Sequence, residues 1–265
     1  MSALAGPPSA PVTVPDAVRR YLDGRAFEVV WENERGGLTF KVGGPDGVHV
    51  KWSPAGCGID LAAEAARLAW AGEFTRVPRV LELGEDDDGS WLVSASIDAD
   101  NAVVTRWRHR PERAVAAIGS GLRALHDALP VATCPFRWST GERRARAVAR
   151  AGSGELNVDT WRSREGGLTL VAALETLALE PAAQPVVCHG DACAPNTLLD
   201  ARGRCVAHVD LGCLGVGDLW ADLAIAAWSA TWNYGEGYED ALYEAYGVAA
   251  DHERILYYRL LWELE

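Results

Sequence analysis

The hydrophobic period of this chain changes near Ile97, and that change limits the folds open to it more than any other feature. Before it, three short β-rich runs, "FEVVWENE", "LTFKVGG" and "GVHVKWS", are separated by glycine-containing turns, the pattern of antiparallel strands. "GIDLAAEAARLAWAGEF" then repeats Leu61, Ala65, Leu68 and Gly72 at helical spacing, and "PRVLELGEDDDGSWLVSASI" divides at Asp88-Gly89 into two further strands. After it, "AAIGSGLRALHDAL" sets Ile118, Leu122, Leu125 and Leu129 on one helical stripe. Helical patterns recur over 139–150, 168–179, 218–232, 236–247 and 251–264. Short apolar segments in "PVVCHGD", "NTLLD" and "CVAHVDLG" interrupt them as strands that present loops. The expected class is therefore α+β. A leader spans 1–15, a small antiparallel β-sheet lobe with one inserted helix spans 16–97, and a mostly helical lobe spans 98–265.

Composition removes several function classes. The chain of 265 residues is 49% hydrophobic, enough for a large core, and carries a net charge of −12. That field opposes nucleic acid and anionic membranes as partners and favours a polycation. "MSALAGPPSAPVTVP" lacks the basic stretch and apolar run of a secretory signal and reads as a loose Pro/Ala-rich leader; no apolar segment reaches the length of a membrane span. A cytoplasmic protein is expected, as a monomer or weak dimer. In that reducing compartment the six cysteines are thiols rather than a disulfide framework.

Chemistry concentrates in "VVCHGDACAPNTLLD" and "GRCVAHVDLGCLGVGD", residues 186–200 and 203–218. Three readings compete. Zinc would draw on Cys188, His189, Cys193, Cys205, His208 and Cys213, but zinc ligands come in close pairs, and only Cys205 and His208 are so spaced. A cysteine nucleophile at Cys193 would need a base such as His189 or Asp191, with no glycine elbow to present it. Phosphoryl transfer accounts for the most residues, because it needs a carboxylate near the acceptor hydroxyl, oxygen ligands for a divalent metal and a cation on the phosphates. Asp191 serves as the first. Asn196, five residues on, and Asp210, fourteen further, serve as Mg2+ ligands. Lys51, with Glu64 on the next helix as its ion-pair partner, serves as the cation.

"HGDACAPN" followed by "VDLG" resembles the catalytic and metal loops of the aminoglycoside phosphotransferases, which share the protein-kinase-like fold. "WENERGGLTFKV", "VKW", "AAEAARLAW", "GLRALHDALPVATCPF", "VDLGCLGVGDLWADLA" and "RILYYRLLWELE" are similar to the aminoglycoside 3'-phosphotransferase group, in the same order and along nearly the whole chain. The resemblance implies a nucleotide-covering loop at 33–39, where Gly36 and Gly37 let backbone approach the phosphates and Thr39 donates to them. It implies that His189 holds the catalytic loop together without acting as a base. Asp218, a helix N-cap by position, is implied as a brace for that loop, with Asp222 ranked after it and His126 read as a packing residue. On the acceptor side it implies Glu263 and Glu265 as contacts for a cationic sugar, with Asp159 as a further contact.

Two departures from the family pattern are visible. Cys213 stands where Arg is common after the "DxG" glycine, and Trp232 and Asn233 replace acidic residues common after "DLA". The resemblance implies an aminoglycoside O-phosphotransferase that uses ATP, with GTP as a second candidate, and Mg2+, and modifies a hydroxyl, the 3' expected, of a drug such as kanamycin or neomycin to give resistance. A streptomycin 3''-phosphotransferase, a small-metabolite kinase of the same fold and a catalytically silent binding protein are the alternatives.

Overall fold

The computed structural model describes residues 5–265 apart from 9, 23 and 45. The chain divides into two compact units, Met1–Asp98 and Ala99–Glu265. Among the described residues no helix is long and apolar enough to cross a membrane.

The first unit is built on a six-stranded antiparallel sheet. Its strands are β1 (Ala5–Gly6), β2 (Phe27–Asn33), β3 (Leu38–Val42), β4 (Val48–Pro54), β5 (Val80–Glu85) and β6 (Gly89–Ala95), in the order β1-β2-β3-β4-β6-β5. Period-two alternation sends Phe40, Val42, Val48, Val50, Trp91 and Val93 to one face, where Val18 and Leu22 of helix α1 (Asp16–Leu22) complete a core. Each such side chain contributes roughly 1.5–3 kcal/mol of burial. Helix α2 (Leu61–Ala71) packs against β5 and β6 with Leu61, Ala65 and Leu68 buried. It starts where Asp60 accepts from Ala63 N–H at 2.8 Å, a side-chain N-cap.

The loose leader needs correction. Residues 1–4 and 9 lie outside the described residues, but Ala5 and Gly6 pair with Asn33 and Glu32 of β2, and Val12 and Val14 pack against the core. Valines at helix α1's approach supply apolar surface that a Pro/Ala reading of composition overlooks.

The second unit is mostly helical. In chain order it comprises β7 (Asp100–Asn101), α3 (Thr105–Arg108), α4 (Pro111–Ala128), α5 (Thr140–Gly152), α6 (Leu170–Leu177), β8 (Pro185–Cys188), β9 (Thr197–Leu199), β10 (Cys205–His208), β11 (Gly215–Asp218), α7 (Leu219–Tyr234), α8 (Glu239–Tyr246) and α9 (His252–Leu264). Every residue of α7 from Leu219 to Ala230 is buried, so this helix is the apolar pillar of the unit. Helix α4 lies close on α8 because position 119 is glycine: a Cβ there would stand 2.4 Å from the Leu242 carbonyl oxygen.

Two small antiparallel ladders, β10-β9-β7 and β11-β8, carry the loops of interest. Strand β11 was not foreseen, since "GVGD" has weak strand propensity. It exists because β8 supplies a partner for all four of its residues. Gly215 and Gly217 let the backbone of Arg137 and Trp138 approach its other side, where Cβ atoms would come within 2.5 and 2.8 Å.

Candidate active site

Each unit holds one part of the predicted constellation. In the first, Asn33 closes the β2–β3 turn on itself: its side-chain oxygen accepts from Arg35 N–H at 3.0 Å and Gly37 N–H at 2.8 Å, and its own N–H donates to the Gly37 carbonyl at 2.9 Å. Gly36 holds φ +78°, a conformation that glycine adopts without penalty. Four residues of loop thus become a hydrogen-bonded hairpin cap rather than a free segment.

Thr39 lies across from Lys51 in the β3–β4 register, which puts both side chains on one face of the sheet. Lys51 Nζ donates to Glu64 Oε1 at 2.6 Å. Glu64 is only 5% exposed, so this carboxylate meets Lys51 in low-dielectric surroundings. The pair fixes a partly exposed ammonium at the middle of β4.

In the second unit, the loop after β8 is organised around His189. Its Nε2 donates to the Val209 carbonyl at 3.0 Å, which requires the proton there and leaves Nδ1 to accept from Asp191 N–H at 3.3 Å. Val209 N–H in turn donates to the Asn196 carbonyl at 3.0 Å. One imidazole and one backbone bond therefore tie the "HGDACAPN" loop to the residue that precedes Asp210. His189 thus makes one bond through each ring nitrogen, both to backbone of these two loops.

Asn196 Nδ2 donates to the Asp191 carbonyl at 2.9 Å and to its carboxylate at 3.0 Å. Loss of solvent, and then the charge of Asp210, push the Asp191 carboxyl above its ordinary value; His189 and hydrogen bonds from Cys193 and Asn196 pull the other way. Asp210 sits at φ +64°, the one non-glycine residue with positive φ among those described. Left-handed backbone is strained for most side chains and occurs at functional loops.

The donors here suit Mg2+. Two carboxylates repel each other across the loops, and the amide nitrogen of Asn196 is committed to Asp191, leaving the amide oxygen for a hard cation beside Asp210. Cys188 is buried with its thiol donating to the Asp218 carbonyl at 3.2 Å, and burial pushes both it and Cys193 well above the ordinary thiol value. Neither is a prepared thiolate. Among the described residues no three His, Cys, Asp or Glu side chains gather as a metal-binding group.

Asp218, expected as a brace, directs its side chain away from the loop's own N–H groups. Its carboxylate caps α7 through Trp220 N–H at 2.8 Å, accepts from Gln184 N–H at 2.7 Å and faces Arg254 at 3.3 Å. Asp222, one turn later, holds the loop instead. It accepts from His189 N–H at 2.5 Å and Gly190 N–H at 2.9 Å, while His126 Nε2 lies 3.0 Å away and carries Tyr246 on its other nitrogen at 2.8 Å. Burial disfavours the Asp222 charge, but the bond from His126, the electrostatic pull of the His126 and His189 rings and the Gly190 bond outweigh it, so the carboxyl lies below its ordinary value. Sequence reading passed over His126 because a histidine on an apolar stripe looks like packing; its spacing carries no sign of a partner 96 residues away.

Ser229 was also missed; its hydroxyl accepts from Ala194 N–H at 2.9 Å and anchors the loop's far end to α7. Gly190 has φ +85°, and a Cβ there would stand 2.4 Å from the Cys213 carbonyl oxygen. The unusual Cys213 thus meets the catalytic loop through its backbone.

The acidic residues expected to bind the acceptor differ in their freedom. Glu265 is clamped by Arg143 at 2.7 Å and Arg146 at 2.9 Å, both on α5, so its charge is already balanced. Glu263 accepts from Arg164 N–H at 2.9 Å, and desolvation pushes its carboxyl above the ordinary value. Asp159 is exposed, on a turn where Asn157 accepts from its N–H at 3.0 Å.

A sequence profile of the phosphotransferase enzyme family matches residues 50–258. The aminoglycoside 3'-phosphotransferase of Streptomyces fradiae is 33% identical, covering 93% of this chain and 97% of its own. The crystal structure of an aminoglycoside-3'-phosphotransferase of type VIII superposes with a TM-score of 0.77 at 30% identity, over 94% of this chain and 97% of its own. A Streptomyces rimosus aminoglycoside phosphotransferase in complex with ADP and streptomycin gives a TM-score of 0.67 at 28% identity, over 86% and 90%.

Proposed function

The chain belongs to the phosphotransferase enzyme family, with a protein-kinase-like α+β fold, and from that premise we propose that it is an aminoglycoside O-phosphotransferase. It moves the γ-phosphoryl of ATP to a sugar hydroxyl, the 3' position of a kanamycin- or neomycin-like drug, in the cytoplasm where ATP is available. The observation that carries this reading is Asp191: a carboxylate held by Asn196, with Asp210 near enough to raise its pKa.

In the transfer, Asp191 accepts a hydrogen bond from the acceptor hydroxyl and aims its oxygen at the γ-phosphorus. The new P–O bond forms as the bond to the departing ADP breaks, and the hydroxyl proton passes to the Asp191 carboxylate and then to solvent. A transition state of this kind asks the protein for positioning and charge rather than covalent chemistry. Lys51, oriented by Glu64, neutralises phosphate charge, and the Asn33–Gly37 hairpin, whose Arg35, Gly36 and Gly37 N–H groups are bonded to Asn33, serves as a shaped cover for the phosphates. Asn196 and Asp210 are the residues that would hold Mg2+, which supplies further neutralisation when bound. His189 and Asp222 keep the loop in shape. Of the three acidic acceptor contacts, Glu263 and Asp159 remain suited to an amine, whereas Glu265 would first have to leave its arginines.

Streptomycin is a second acceptor candidate, supported by the likeness to the enzyme seen with ADP and streptomycin. Turnover of ATP and GTP with kanamycin, neomycin and streptomycin, followed by location of the phosphate on the product, tests both. Drug-dependent turnover is expected with at least one acceptor. A folded protein with no drug-dependent turnover on any of them sinks the kinase reading in favour of a silent binder.

A further inference from the structure

Helix α7 carries a surface feature that phosphoryl chemistry leaves unexplained. Trp228, Trp232 and Trp262 form a cluster with ring centroids 4.9, 5.6 and 5.9 Å apart. Trp228 is buried and Trp262 half-buried, but Trp232 is 44% exposed. Two rings thus hold a third rigidly while its outer face stays in water, which is the build of a contact surface rather than of a core.

Its surroundings narrow what it contacts. Ser229, which anchors the catalytic loop at Ala194, precedes Trp232 by three positions on the same helix, so the indole lies about one helical turn from that anchor. Glu263 adjoins Trp262 on α9, with its carboxylate held on Arg164 N–H. Burial disfavours the charge of Glu263, so a cation placed beside it gains more than one beside a hydrated carboxylate. The Arg164 guanidinium carbon is 5.9 Å from the centroids of both Trp232 and Trp262. An amine set directly over these rings would meet that like charge. The rings therefore suit an uncharged CH face, and Glu263, whose carboxylate Arg164 also approaches, is the neighbouring negative charge.

We propose that the exposed indole of Trp232 is the platform on which a ring of the amino-sugar acceptor stacks by its CH face, with a protonated amine of the same ring directed to Glu263. This rests on the kinase reading above and adds the residue that selects the acceptor. It also gives a role to an aromatic side chain that stands where acidic residues are common.

Steady-state kinetics with ATP and neomycin, repeated with streptomycin, compare the wild type with Trp232→Ala and Trp232→Phe. Tryptophan contacts are among those whose truncation most weakens binding, so the alanine variant should raise acceptor KM at least about tenfold. ATP KM and Tm should stay at wild-type values, and phenylalanine should remain within about threefold because it keeps a flat apolar face. Calorimetric titration of the drug into each variant gives the same ranking without turnover. An unchanged acceptor KM in Trp232→Ala overturns the platform while leaving the kinase reading intact. Equal losses in both variants, or a matching rise in ATP KM, assign the effect to a disturbed helix and also overturn it. A wild type that turns over no amino sugar overturns both.

Discussion

Asp191 and Asp222 are carboxylates that touch the same short loop from opposite sides, and their surroundings push them in opposite directions. Asp222 is fully buried, yet its three donors, the N–H groups of His189 and Gly190 and the ring of His126, keep it ionised below its ordinary value. Asp191 is half-buried, yet desolvation and Asp210 push it above its ordinary value. Burial therefore sets the direction of the Asp191 shift but is overruled at Asp222. The donors make the difference: those on Asp222 outweigh its burial, and those on Asp191 do not.

The largest effect should come from breaking the satisfied side. In Asp222→Asn one oxygen becomes an NH2 group facing N–H donors, and leaving a buried network half-paired costs roughly 3–5 kcal/mol. Urea denaturation should show that loss of stability, with turnover falling as the loop loosens; a variant as stable as wild type would remove Asp222 from the brace.

Asp191→Asn should behave in the reverse manner. Turnover is expected to drop by about 10²–10⁴-fold, the usual contribution of a positioned base. Tm should equal or exceed that of the wild type, because a repelled charge is removed. A large fall in Tm would show Asp191 to be structural.

The smallest effect is in pH dependence, and its sign follows from the shifts. Asp222, lowered, contributes stability that is present above its unfolded pKa of about 3.9 and is lost as pH falls through the folded value. Asp191, raised, does the reverse: its ionised form weakens the fold above the folded pKa, and that penalty disappears below about 3.9. The Tm advantage of Asp191→Asn over wild type should shrink on acidification from pH 7 to 4, and the Tm deficit of Asp222→Asn should shrink only toward the acid end of that range. Parallel curves for the two variants would refute the contrast.

Local pattern made much of this molecule legible. Alternation in "LTFKV" and "GVHVKWS" and the stripe through Ile118 and Leu125 emerge as β3, β4 and α4. Lys51 and Glu64 were readable as a pair, and Asp191 and Asn196 as neighbours, because short loops and one helix separate them. The rest depends on distance in sequence. Asp222, His126 and Tyr246 meet across 96 and 120 residues, and nothing local distinguishes such a histidine from a packed one. Glu265 looked free for a ligand until α5 brought Arg143 and Arg146 against it. Strand β11 depends on a partner rather than on propensity.

Gly190 leaves a mark that can be read without any assay of the protein. With φ +85° and the Cys213 carbonyl where a first side-chain carbon would stand, the site admits hydrogen alone. Every single-base change of a glycine codon that replaces the residue adds at least that carbon. In a population held under drug selection, codon 190 is therefore confined to synonymous drift.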